Sequence, residues 1–107
     1  MKEVLVDKLG NRYGKEELAQ LIEAEGELGQ GAYLNEKTGL RCALSVLIDL
    51  QPPGDLSQTK RFAFWDVVSY CEVRGLCLTE YNDITCRDVS PKQRAFMVAT
   101  RIRRLEN

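Results

Sequence analysis

Cys42 is the first residue whose type and place suggest chemistry. It stands in "GAYLNEKTGLRCALSVLIDL", Gly31 to Leu50, where a polar, loop-like run changes directly into an apolar one. If a helix begins there, its N-terminal partial charge and the Arg41 guanidinium would both stabilise a thiolate and lower its pKa. Ala43 and Leu44 act in the opposite direction, because burial among apolar neighbours favours the neutral thiol. The chain contains no histidine, so a thiolate would have to rely on the helix dipole and on carboxylates such as Asp49 or Asp83, which do not favour a second negative charge. The balance favours a packed thiol over a nucleophile.

The missing histidine also excludes serine and cysteine hydrolases built on an imidazole base, imidazole acid–base catalysis, and zinc or iron sites that need imidazole ligands. An all-cysteine zinc site requires paired thiols at short spacing. Cys42, Cys71, Cys77 and Cys86 contain no C-x-x-C pair, so no metal and no cofactor is expected. The second polar concentration is "TEYNDIT", Thr79 to Thr85, read as a loop between two apolar elements. Asn82 and Asp83 suit a turn, bonding backbone amides two or three residues on, and the same groups could line a cleft. Tyr81 and Trp65 could stack on a ligand, although a single tryptophan on an apolar helix face suits a core. The glycines of "GELGQGAY" lack the preceding strand and following helix that aim amides at a phosphate. Arg41, Cys42, Tyr81, Asn82 and Asp83 are thus the candidate ligand-binding residues, and no catalytic set is identified.

These groups must be positioned by elements legible in the pattern. "EVLVDKLGNRY" alternates around a Gly-Asn turn and predicts a hairpin, with Val4 and Val6 on one side and Leu5 on the other. "KEELAQLIEAEG" spaces Leu18, Leu21 and Ile22 as a helix, with Glu16 and Glu17 in its first turn and Gly26 to end it. "NEKTG" between "AYL" and "LRC" predicts a second hairpin. "CALSVLIDL" is apolar almost all round and suits either a buried strand or a buried helix, stopped by Pro52 and Pro53. "PPGDLSQTKR" has the composition of an exposed loop. "RFAFWDVVSYCEVRG" places Phe64, Val67, Val68 and Cys71 on one helical face and stops at Gly75.

The last helix carries the clearest start signal, Ser90 as cap, Pro91 in first position and Gln93 to complete a capping box. Ala95, Val98, Ala99, Ile102 and Leu105 form its buried stripe. Arg94, Arg101 and Arg104 line one flank, with Lys92 and Arg103 on the other. Phe96 and Met97 fall off the stripe. A wide apolar face accounts for them, and so does a second contact surface, which makes Arg94, Phe96, Met97, Arg101 and Arg104 the candidate partner-binding residues. The expected fold is a single compact α+β domain over residues 1–107, mostly helical, with about four helices and one or two small β-hairpins.

Fifteen basic and sixteen acidic residues describe an ordinary globular composition, unevenly spread. Before Lys60 there are six basic and ten acidic residues, and from Lys60 onward nine basic and six acidic. That excess is compatible with an acidic partner, nucleic acid included, and more simply with a solvated surface. "MKEVLVDKLG" lacks the apolar run of a secretory signal and no segment approaches a membrane span. A cytoplasmic protein with reduced thiols and no membrane contact is expected.

The succession of "GAYLNEKTGLRCALSVLIDL", then "LTEYNDI", then a terminal helix resembles an uncharacterised family of small bacterial and phage proteins. Its pattern is a glycine-rich turn, a "CALGAL" or "CCLGVL" run, an "L-x-x-(W/L)-ND" motif and a helix. Arg41, Cys42, Ala43 and Leu44 match the first motif, Ser45 replaces its usual glycine, and Asn82 and Asp83 match the second, with Tyr81 where tryptophan or leucine is frequent. The resemblance covers about Gly29 to Leu105. It implies a helix for "CALSVLIDL" and an origin on mobile elements, and it implies no activity. The function expected is a non-enzymatic accessory protein acting by protein binding or as a homodimer. The alternatives are a small-molecule or minor enzymatic cleft between Cys42 and Asn82–Asp83, and nucleic-acid binding through the Arg-rich last helix.

Overall fold

The computed structural model describes residues 4–30, 34–50 and 63–106, with the side chains of residues 63–65 outside the description. The proposed stop at Pro52 and Pro53, the loop over residues 52–61 and the side chains of Phe64 and Trp65 lie outside the described residues.

The chain is a small α+β domain, mostly helical. β1 (Leu5–Val6) pairs antiparallel with β2 (Arg12–Tyr13), Leu5 opposite Tyr13. The five residues between them are organised by the Asp7 carboxylate, which accepts from the Leu9 and Asn11 amides, the Asn11 side chain and the Tyr13 hydroxyl, each at 2.9 Å. The expected alternation fails here, since Leu5 and Val6 are both buried. With two residues to a strand, the pair is too short to sustain an alternation.

α1 (Lys15–Glu25) follows at once. Glu17 Oε1 accepts from the Gly14 amide at 3.4 Å, one half of a capping box. Leu18, Ala19 and Ile22 are fully buried, and Gly26, at φ +83°, turns the chain out of the helix. The second hairpin pairs β3 (Leu34–Asn35) with β4 (Leu40–Arg41), closed by Asn35, whose Oδ1 accepts from the Lys37 amide at 3.0 Å. α2 (Ala43–Leu47) begins directly after Cys42, so "CALSVLIDL" is a short buried helix there rather than a strand. α3 (Ala63–Glu72) buries Val67, Tyr70 and Cys71 and leaves through Gly75 at φ +92°.

The segment read as a loop around "TEYNDIT" is helical. α4 (Leu78–Glu80) widens into a π-helical turn, Tyr81–Thr85, in which the Cys86 amide reaches back five residues to the Tyr81 carbonyl. α5 (Pro91–Arg103) starts at its expected cap, Ser90 Oγ accepting from the Gln93 amide at 3.1 Å, the half of the capping box that Ser90 supplies. Ala95, Val98, Ala99, Ile102 and Leu105 are all buried. One core cluster runs from Leu5 to Leu105.

α1 and α5 pack antiparallel along their length. One end is tied by the Leu28 amide donating to the Pro91 carbonyl at 3.1 Å, the other by Lys15 Nζ donating to the Leu105 carbonyl at 3.2 Å. On one side of the seam the Arg103 guanidinium bridges Glu16 and Glu23, holding both carboxyls below the usual carboxylate range.

Gly29 sits where two backbone segments approach closely. Its amide donates to the Arg41 carbonyl at 2.8 Å, and a Cβ added there would lie 2.8 Å from the Leu40 carbonyl oxygen. The obstructing atom is backbone and has little freedom to move. Gly29→Ala is expected to destabilise the protein by about 2 kcal/mol, the scale of overpacking a close contact, read as a lower urea midpoint at unchanged slope.

Candidate functional site

Cys42 and the Asn82–Asp83 pair, distant in sequence, meet. Asn82 is 1 % exposed in the π-helical turn. Its Oδ1 accepts from the Ala43 amide at 3.4 Å, a long bond that caps α2 across the fold, where Cys42 supplies no side-chain cap of its own. Its Nδ2 donates to the Gly29 carbonyl at 3.0 Å and to Asp83 Oδ1 at 2.7 Å. The carbonyl of Asp83 accepts from Gln30 Nε2 at 2.6 Å. Asn82 therefore caps a helix, as its residue type suggests, but one that lies 39 residues away.

Cys42 itself is buried, 9 % exposed. Burial pushes its thiol up, against the smaller downward pull of the amides at the start of α2. The opposition between helix terminus and apolar neighbours is decided for burial. Arg41 does not assist a thiolate: its guanidinium turns to Glu25, Nη2 to Oε2 at 2.6 Å and Nε to Oε1 at 3.2 Å. Tyr81 is half-buried, its phenol pushed up chiefly by burial. A ligand cleft at this junction needs a solvent-facing Cys42, and the thiol packs inward.

Cys71 and Cys86 are buried too, the Cys71 thiol pushed up by desolvation to about 12, while Cys77 is exposed. In the native protein one thiol, that of Cys77, is expected to react promptly with a chromogenic disulfide. Cys42, Cys71 and Cys86 should be counted only after denaturant is added. Among the described residues, no group of three or more cysteine, aspartate or glutamate side chains is placed to hold a metal ion.

Arg94, expected on an exposed flank of α5, is instead 5 % exposed. Nε donates to the Cys86 carbonyl at 3.0 Å and Nη1 to the Leu28 carbonyl at 2.8 Å. Nη2 reaches the Val89 carbonyl at 3.2 Å, the Arg87 carbonyl at 3.4 Å and Gln30 Oε1 at 3.5 Å. Carbonyl dipoles thus replace the water that a buried guanidinium would otherwise lose. The sequence did hold a signal for this. Arg94, Val98 and Ile102 form one row at four-residue spacing, and the other two are core.

Together Arg94 and Asn82 string Leu28–Gly29–Gln30 between α5, the π-helical turn and β4. Arg101 is also engaged, Nη2 donating to the Gly75 carbonyl at 2.8 Å, and Arg103 serves Glu16 and Glu23 of α1. Of the three arginines in the array that suggested a nucleic-acid surface, Arg94 is buried, Arg101 is half-buried and Arg104 is exposed.

The exposed side of α5 is a different matter. Phe96 is 62 % exposed, whereas Met97 is half-buried and packs against the core. Lys92 and Arg104 are exposed and Thr100 is half-buried. At four-residue spacing these make one outward row, Lys92, Phe96, Thr100 and Arg104, with an aromatic ring between two cations. No family model, curated protein or solved structure matches the chain. Among the described residues no helix is long and apolar enough to cross a membrane.

Proposed function

We propose that the chain is a non-enzymatic accessory protein, of the kind mobile elements carry, that works in the cytoplasm by binding protein through the outward row of α5. The observation that carries this reading is Phe96, a large aromatic side chain presented to solvent on a helix whose opposite face is wholly core. Aromatic side chains flanked by cations are what binding surfaces concentrate at their centres. The groups best suited to chemistry by type, Cys42 and Asn82, are buried and engaged in packing or in the protein's own backbone bonds. Four free thiols, three of them buried, suit a reducing compartment.

A photo-crosslinking phenylalanine analogue at position 96 tests the reading. The expected result is a discrete crosslinked species, from purified protein or from cell extract, that the same analogue at the exposed position 37 does not form. Equal or absent crosslinking at the two positions would overturn it.

A further inference from the structure

We infer that the partner of this surface is a second copy of the chain, joined by a two-fold axis running along the α1–α5 seam; the inference rests on the binding role proposed above. Its basis is a complementarity between two rows on neighbouring helices. α5 with its C-terminal cap bears exposed Lys92, Phe96 and Arg104 and half-buried Thr100 in one row, and α1 with the residue pair after it bears Glu16, Gln20, Ala24 and Glu27, all four exposed. The hydrogen bonds from Leu28 to Pro91 and from Lys15 to Leu105 fix how the antiparallel helices align. At that alignment Glu16 stands level with Arg104, Gln20 with Thr100, Ala24 with Phe96 and Glu27 with Lys92.

A two-fold axis parallel to the helices lays each α1 over the partner's α5 and preserves these levels. Acid then meets base at both ends, the two polar side chains meet between them, and the Phe96 ring lies over the smallest residue of the opposing row. An axis perpendicular to the helices would lay α1 on α1 and α5 on α5, carboxylate against carboxylate and cation against cation. Pro91–Arg103 contains no acidic residue, and α1 carries four glutamates against one lysine. Only the parallel axis is complementary, and the contact it makes is isologous and self-limiting. Arg103, already paired with Glu16 and Glu23, carries one positive charge against their two negative ones, so this part of the seam keeps a net negative charge toward the opposing Arg104.

The contact is small. Helices of this length rise about 20 Å, and two side by side present roughly 400 Å² per copy, below the area of a standard stable interface. The dimer is accordingly weak and sensitive to salt, since its ends are charge pairs at the rim.

Sedimentation equilibrium of the full chain up to about 1 mM decides the matter. The expected result is a monomer–dimer equilibrium at low salt. It should weaken several-fold between about 50 mM and about 500 mM salt. It should weaken at least about tenfold in Phe96→Ser and in Ala24→Arg, one change on each row, each with an unchanged melting temperature. A monomer throughout the range, or a dimer that either substitution leaves intact, would overturn the inference. A monomer whose position 96 still crosslinks to another protein would leave the binding role standing with a different partner, and a monomer that crosslinks to nothing would remove both.

Discussion

Arg94→Leu is expected to lower the stability of the protein by about 3–5 kcal/mol, enough to unfold a domain at the low end of the usual range. The leucine fills much of the arginine's path and donates nothing. The carbonyls of Leu28, Cys86 and Val89, each within 3.2 Å of a guanidinium nitrogen, would lose that donor away from water. Arg94→Lys distinguishes loss of charge from loss of shape. A single ammonium keeps the charge but cannot span carbonyls arranged around a planar fork, so this variant should recover less than half of the deficit. Urea unfolding followed by far-UV circular dichroism measures both, and a leucine variant as stable as the wild type would contradict the role assigned to Arg94.

The second large effect is expected at Asn82. Asn82→Leu removes the acceptor for the Ala43 amide and the donor to the Gly29 carbonyl and should cost about 2–4 kcal/mol. Asn82→Asp is more informative because it retains the acceptor. It replaces the donor with a carboxylate, buried and facing Asp83 Oδ1, which stands 2.7 Å from Nδ2 in the native protein. Burial and the neighbouring negative charge both favour the neutral acid, so the folded-state pKa of the introduced group lies above its unfolded value. The folded state then binds the proton more readily than the unfolded state does. The deficit of the variant against wild type should therefore be largest at about pH 7 and shrink as the pH falls toward about 4. A deficit independent of pH would mean that the introduced side chain had turned out to solvent.

These two residues also mark where the sequence stops being legible. The start of α5 could be read from Ser90, Pro91 and Gln93, and its core stripe from Ala95 to Leu105, because capping and amphipathic spacing are local properties. α1 and the two hairpins were legible for the same reason. The environment of Arg94 is not local: its acceptors include the Leu28 carbonyl, 66 residues away, and no pattern around position 94 announces them. The residue type of Asn82 suits a turn, and the fold uses the same chemistry on a distant helix while winding its own segment into a π-helical turn. Cys42 presented two opposed local effects of similar size, and only its depth in the folded protein decides between them. Phe96 was identifiable as off the stripe, whereas its level with Ala24 follows from the way α1 and α5 are tied.

Leu28–Gly29–Gln30 also bears on how the chain is made. As the protein is synthesised, this segment leaves the ribosome with its backbone partners still missing. Asn82 and Asp83 arrive 53 residues later and Arg94 follows 66 residues after Leu28. Until then α1 has neither α5 to cover its apolar side nor a fixed exit at its C-terminal end. Closing contacts of such separation makes folding slower and more all-or-none than helix content alone suggests. The last helix completes the first, and the domain assembles after its final turn has emerged rather than progressively from its N-terminus.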